Sequence, residues 1–101
     1  MSMIADNIST IFPYTKAKGV SAMIEFNRFA VGKVIRQLRK RRGLSQEVFS
    51  GFAGMARSHL AMIENGDKQA NFETIWRIAN AFDLAPHELV YLVEQEIERC
   101  R

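Results

Sequence analysis

The stretch SQEVFSGFAGMARSHLAMIENG, residues 45–66, concentrates side chains that form directed hydrogen bonds. Its second half carries Arg57, Ser58 and His59 in a row, followed by Met62. A guanidinium can present two parallel N–H donors, a hydroxyl can donate or accept, and an imidazole does either according to its tautomer. This combination on one short segment indicates recognition of a partner through hydrogen bonds.

The same residue types do not add up to a catalytic group. Ser45, Ser50 and Ser58 lack a nucleophile elbow, and His59 and His87 fall in different predicted helices with no carboxylate placed to orient them. The sequence has no glycine loop of the phosphate-binding kind and no spaced set of metal ligands. We therefore predict a protein that is not an enzyme and that uses no cofactor and no metal.

Size and composition allow one folded domain. The chain has 101 residues, of which 48% are hydrophobic and 25% are charged, and a net charge of +3 is compatible with nucleic acid without establishing it. The single cysteine, Cys100, cannot form an internal disulfide, which fits a reducing compartment. Because no apolar run approaches the roughly 18 residues of a membrane helix and no signal peptide is visible, we expect a cytoplasmic protein without a membrane partner.

The spacing of apolar residues from about residue 28 onward predicts an all-α fold. Apolar positions recur at three and four residues, as in amphipathic helices, and no strand-like alternation is visible. The first helix is predicted to end at Gly43, and Ser45 is a good cap for the second. Gly54 separates the second helix from a third, which begins near Arg57 and stops at Gly66.

Two further helices complete the prediction of five. Asn71 is expected to cap the fourth, and Pro86, a favoured first-turn residue, to open the fifth. The inward side chains of the second and fourth helices are expected to be Val48, Phe49, Phe52, Ile75, Ile78, Ala79 and Phe82. Trp76 is expected to pack between the fourth helix and its neighbours, with an exposed edge at a partner interface as the alternative.

These elements divide the chain into an N-terminal extension, residues 1–27, and a helical domain, residues 28–101. In the extension Ile4, Ile8, Ile11 and Phe12 share one helical face. The segment is either a partly ordered tail or an arm that docks on a partner or forms a dimer. Met23 is a possible internal start.

The fifth helix is long for so small a core. Leu89, Leu92, Val93 and Ile97 line one of its sides, and surplus apolar surface at a chain terminus often contacts another chain. We expect these four residues to form a dimer interface, with docking on the same domain as the alternative.

The motif GLSQEVFSGFAGMARSHLAMIENG resembles the helix-turn-helix of lambda-repressor-like regulators, also called Cro-type or xenobiotic-response-element type. The resemblance extends to VIRQLRKRRG before it and NFETIWRIANAFDLAPHEL after it, and covers roughly residues 29–92. It implies a bacterial or phage regulator of five helices, whose third helix enters the major groove of double-stranded DNA. The N-terminal extension lies outside the family domain.

The resemblance also assigns roles to individual residues. It implies that Gln46, Asn65 and Lys68 lie near phosphates, and that base edges are read by Arg57, Ser58, His59 and Met62. It further implies that Arg39 and Glu64 form a buried ion pair that ties the first helix to the third. One or two of the cations Lys40, Arg41 and Arg42 are candidates for the DNA backbone.

The leading hypothesis is a homodimeric, sequence-specific transcriptional regulator, more in keeping with a repressor than an activator. The alternative is an antitoxin or another protein-interaction module of the same fold, in which residues 1–24 bind a partner protein.

Overall fold

The computed structural model describes residues 25–100, so the expectations for residues 1–24 and for Arg101 lie outside the described part. The helices in this part are α1, Arg28–Arg41; α2, Gln46–Ala53; α3, Arg57–Asn65; α4, Phe72–Ala81; and α5, Pro86–Arg99. Residues 25–100 contain no strand. The predicted all-α architecture of five helices is confirmed.

Polar caps set the beginnings of three helices. The Asn27 side chain accepts a hydrogen bond from Phe29 N at 2.8 Å, and Ser45 Oγ accepts from Val48 N at 3.1 Å. Asn71 Oδ1 accepts from Thr74 N at 2.8 Å. These bonds satisfy amide groups that the first turn of a helix leaves without an intrahelical partner. The caps predicted at Ser45 and Asn71 are present.

The core lies where all five helices meet. Phe49 of α2 stacks on Phe82 at the end of α4, with ring centroids 4.2 Å apart. Ile35, Leu60 and Leu89 are also fully buried. Because α2 and α3 are too short to be stable alone, packing of α3 on α1 and of α2 on α4 is what holds them in place.

Three aromatic and aliphatic side chains expected in the core are exposed instead. Val48 is 46% exposed, Phe52 is 65% exposed and Trp76 is 51% exposed. In α2 the pairs 48/52 and 49/53 each have helical spacing, and the structure turns Phe49 and Ala53 inward. Because Phe49 stacks on Phe82, the side of α2 that carries Val48 and Phe52 faces solvent, and the prediction for these two residues was wrong.

Candidate nucleic-acid interface

α3 divides its side chains into an inner and an outer side. Leu60 and Ile63 are fully buried on the inner side. On the outer side Arg57 and Ser58 are exposed, His59 is half-buried, and Met62 is 41% exposed. We call these four outward residues the reading face: Arg57, Ser58, His59 and Met62. The structure thus places all four predicted base-reading residues on one accessible surface.

The reading face keeps its hydrogen-bonding capacity free. Within residues 25–100, the side chains of Arg57, Ser58 and His59 make no hydrogen bond or ion pair. The cap position of α3 is Ala56, which has no side-chain acceptor for the first-turn amides. The positive end of the helix dipole and these donors therefore face outward together, an arrangement that suits an anionic partner.

On the inner side of α3, the Glu64 carboxylate accepts hydrogen bonds from side chains of two other helices, α1 and α2. Arg39 Nε donates to Glu64 Oε2 at 2.7 Å, and Arg39 Nη2 donates to Oε1 at 2.8 Å. Both residues are buried. Gln46 Nε2 donates to Glu64 Oε1 at 3.0 Å, and Arg36 Nε lies 3.4 Å from the same oxygen. The residues predicted to pair, Arg39 and Glu64, form a bidentate bridge from α1 to α3.

The charge state of Glu64 follows from these bonds. Burial alone raises the pKa of the Glu64 carboxyl, but hydrogen bonds from Arg39, Gln46 and Arg36 outweigh burial and leave the pKa below its ordinary value. The hydrogen bond to Glu64 likewise raises the pKa of the Arg39 guanidinium. The pair is therefore charged on both sides at neutral pH.

Glu64 also fixes the orientation of the Gln46 amide. A carboxylate only accepts hydrogen bonds, so the amide nitrogen of Gln46 must be the atom that faces it. One N–H of that nitrogen is engaged at 3.0 Å. The other N–H remains for a second acceptor, at the start of α2, where the resemblance to the family places a phosphate.

Asn65 is oriented in a similar way by α1. Arg36 Nη2 donates to Asn65 Oδ1 at 2.7 Å. Since a guanidinium has no acceptor, the amide oxygen must face Arg36, and the two N–H donors of Asn65 point away from it. Lys68 follows in the exposed loop after α3. We call the bonded set behind the reading face the Glu64 network: Arg36, Arg39, Gln46, Glu64 and Asn65.

Arg36 is the member of this network that sequence reasoning missed. Its spacing from the apolar positions places it on the polar side of α1, which by itself indicates only a solvent-exposed side chain. The contacts to Glu64 and Asn65 span 28 and 29 residues, and they depend on the angle at which α1 crosses α3. The one available signal was that Arg36 precedes Arg39 by three residues, which puts both on neighbouring parts of the helix surface.

Close backbone packing and a braced turn set the position of α3. A Cβ on Gly32 would overlap the carbonyl oxygen of Ile63, so only glycine allows α1 to approach α3 this closely. Gly54, between α2 and α3, has φ +68°, a left-handed conformation that suits glycine. Arg77 Nη1 of α4 donates to the Gly54 carbonyl at 2.9 Å. The reading face is thus held from α1 and from α4.

Comparison with known proteins identifies the family. Residues 35–89 match the helix-turn-helix family HTH_3. The chain belongs to the helix-turn-helix family.

A solved structure in the same family is that of the restriction-modification controller protein C.AhdI from Aeromonas hydrophila. It is 34% identical to this chain, with a TM-score of 0.59, and the match covers 61% of this chain and 94% of that one. The controller protein C.Esp1396I superposes with a TM-score of 0.67 at 19% identity, over 74% of this chain and 97% of that one. At that identity the likeness shows the fold alone.

A curated relative is the competence pilus inhibition repressor of Acinetobacter baylyi. It is 28% identical to this chain over 64 residues, which are 63% of this chain and 58% of the relative. The match therefore spans little more than half the length of that repressor. The family match and the 34% identity to C.AhdI identify a DNA-binding regulator of the lambda-repressor-like type.

The four residues of α5 that were expected to form a dimer interface lie in different environments in this helix-turn-helix protein. Leu89 is fully buried and Val93 is 8% exposed, both in the core of the same chain. Leu92 and Ile97 are half-buried and lie on different sides of α5: Leu92 beside Leu38, and Ile97 beside Phe26. Leu89 and Val93 lie in the core of their own chain, because α5 packs against α1 and α4. For these two residues the structure matches the alternative of docking on the same domain.

The basic residues at the end of α1 have different surroundings. Arg42 Nη2 donates to the Phe82 carbonyl at 2.7 Å, and its guanidinium lies 5.4 Å from the centroid of the Phe82 ring. Lys40 and Arg41 are exposed. Arg42 is thus tied to α4, which leaves Lys40 and Arg41 as the candidates for the DNA backbone. None of the helices in residues 25–100 is long and apolar enough to span a membrane.

Proposed function

We propose that this protein is a sequence-specific transcriptional repressor that inserts α3 into the major groove of DNA. The observation that carries the proposal is the contrast between the two sides of α3. The reading face has free donors, whereas Glu64, on the other side, is bonded to α1 and α2. A helix held rigidly from behind with unpaired donors in front fits recognition of base edges.

Each side chain of the reading face has a proposed partner. Arg57 presents two donors to O6 and N7 of a guanine, and Ser58 bonds either a base edge or a phosphate. His59 donates or accepts according to its tautomer, and Met62 covers a thymine methyl group. Gln46, Asn65 and Lys68 contact phosphates and so set the register of the helix in the groove.

The protein acts as a homodimer in this proposal. Two copies of α3 enter successive major grooves, roughly 34 Å apart, on a partly palindromic operator. The side of α5 that carries Leu92 is the proposed contact, since Leu92 is half-buried next to Leu38 and is not enclosed by its own chain. The absence of catalysis is part of the same proposal. Ser58 and His59 are not hydrogen-bonded to each other, so no general base activates the serine hydroxyl.

The experiment that tests the reading face compares two variants on the selected operator. Arg57→Ala is expected to cost about 1–3 kcal/mol at one base position and to relax the preference there. Gln46→Ala is expected to weaken binding on all sequences with little change in preference, because phosphate contacts carry no sequence information. If both variants bind the operator as the parent does, while circular dichroism shows an intact fold, the proposed docking geometry is wrong.

The second candidate, a protein-interaction module without specific DNA binding, stays a prediction from the sequence. Its support in the structure is the exposed apolar surface at Phe26, Phe72 and Val90. Binding to random duplex DNA separates the two candidates. A DNA reader binds at low salt and weakens steeply as salt rises, whereas an interaction module shows no such binding.

A further inference from the structure

An open apolar groove of about 520 Å³ lies between the start of α1, the loop before α4 and one side of α5. Its apolar lining includes Phe26, Ala70, Phe72, Ile75, Val90 and Ile97. Phe26 is 60% exposed, Phe72 is 75% exposed and Val90 is 47% exposed. Large apolar side chains left uncovered side by side mark a binding surface.

The chain itself leads into this groove. Phe26 belongs to the groove lining, and residues 1–24 join the chain directly before Glu25 and Phe26. Glu25 and Phe26 also line an adjoining depression together with Ile97. Residues 1–24 are therefore attached at the edge of the groove, whereas a second copy of the chain would have to reach it by diffusion.

The chemistry of residues 1–24 matches that of the groove. Ile4, Ile8, Ile11 and Phe12 share one face at helical spacing, and residues 7–15 carry no charge. Lys16 and Lys18 follow in the connection to α1. Glu94 lines the groove, so the charge there is opposite to that of Lys16 and Lys18.

The tether favours this segment over a second copy. Residues 13–25 join it to Phe26 of the groove lining, and a chain of that length reaches at most roughly 40 Å. A segment on such a tether has an effective concentration of about millimolar. A second copy at about micromolar concentration would need an affinity roughly a thousandfold higher to displace it.

We propose that residues 4–12 dock in the groove of their own chain, with Ile4, Ile8, Ile11 and Phe12 against Phe26, Phe72 and Val90. The docked segment covers the side of α5 that carries Ile97. The side that carries Leu92 stays open. This inference does not depend on DNA binding, and its test is carried out without DNA.

The direct test is cross-linking in the full chain. Ile8→Cys and Val90→Cys are introduced together in a Cys100→Ser background, because Cys100 is otherwise a free thiol. A short thiol-specific cross-linker is expected to join the two positions within one chain, with a yield that stays constant over a wide dilution series. The matched control replaces Val90→Cys by Gly51→Cys, since a Cβ at Gly51 meets open space and does not line the groove. The control is expected to lose the intrachain product.

Two outcomes would overturn the proposal. Products joined between chains, with a yield that falls on dilution, would show that a second copy occupies the groove. Equal intrachain yields for the Val90 and Gly51 positions, or no product at either, would show that the segment does not dock there.

A second measurement uses Trp76, the only tryptophan in the chain. Its ring packs edge-on against Phe72 of the groove, with centroids 6.2 Å apart. Ile11→Asp in the full chain is expected to abolish the intrachain cross-link, shift the Trp76 emission to longer wavelength and increase its quenching by acrylamide. Thr10→Asp, on the opposite helical face of the segment, is expected to change neither. An equal effect of the two substitutions, or no effect of Ile11→Asp, would contradict the proposed docking.

Discussion

The Glu64 network and the apolar groove differ in how their side chains are engaged. In the network, side chains from α1, α2 and α3 bond to one another, and within residues 25–100 no fully buried side-chain nitrogen or oxygen lacks a partner. In the groove, Phe26, Phe72 and Val90 are left uncovered. Recognition of base edges needs donors at fixed positions, while association with an apolar segment needs area. The hydrogen-bonded network therefore suits a DNA partner, and the uncovered groove suits an apolar one.

The largest expected effect comes from breaking the network at its centre. Glu64→Gln leaves the Arg39 guanidinium buried without a charged partner, which is expected to cost about 3–5 kcal/mol of unfolding free energy. Urea denaturation followed by circular dichroism measures the loss. Glu47→Gln, on the exposed side of α2, is the matched control and is expected to change stability by less than about 0.5 kcal/mol. Equal losses for the two variants would show that the network contributes nothing particular to the fold.

The next effect concerns the spacing between α1 and α3. Gly32→Ala forces a methyl group against the backbone of Ile63 and Glu64, which is expected to cost about 2 kcal/mol. Gly51→Ala has the same chemistry in open space and is expected to stabilise α2 by about 0.5–1 kcal/mol. Thermal unfolding of both variants checks the opposite signs. Stabilisation by Gly32→Ala would show that the helices do not approach as described.

A smaller effect is expected at the edge of the network. Arg36→Ala frees the Asn65 amide, and under the proposed function it weakens DNA binding by about 1 kcal/mol, uniformly over operator sequences. A double-mutant cycle with Asn65→Ala is the measurement. Since Arg36 is proposed to act through Asn65, the two losses are expected to be less than additive. Additive losses would show that Arg36 contacts the DNA by itself or not at all.

The smallest expected effect concerns stability at acid pH. It arises at Glu96, which belongs to neither the Glu64 network nor the apolar groove. Hydrogen bonds from Lys33 and Arg99 lower the pKa of the Glu96 carboxyl from 4.5 to about 2. A carboxyl with a lowered pKa in the folded state stabilises the fold above its ordinary pKa, and this stabilisation is lost as the pH falls from about 4.5 towards 2. Glu96→Gln is expected to reduce the loss of stability over this pH range, as measured by urea denaturation at several pH values. Glu64 contributes in the same direction, so an unchanged slope would assign the acid sensitivity to Glu64.

The sequence predicted the parts of the fold that depend on local chemistry. Ser45 and Asn71 cap helices because their oxygens satisfy nearby amides, and Gly54 and Gly66 adopt positive φ where α2 and α3 end. Such features involve residues a few positions apart, so they can be read from the chain. The five helices followed from them.

The parts that depend on how helices cross could not be predicted. Nothing local distinguishes Val48 and Phe52 from Phe49 and Ala53 in α2, and the stacking of Phe49 on Phe82 decides between them. The same holds for Arg36, whose partners lie on α3. For the site, the outward position of Arg57 and Met62 followed from the family motif. The bonds that orient Gln46 and Asn65 join different helices, so they depend on how α1 and α2 pack against α3.

The most direct test of the reading face is to select binding sites from a random DNA pool with the parent protein and with Arg57→Ala side by side. The parent is expected to enrich a partly palindromic site, and Arg57→Ala is expected to enrich the same site with the preference relaxed at one base pair in each half. Identical preferences for the two proteins, or no enrichment by the parent at low salt, would contradict the assignment of α3 as the DNA-reading element.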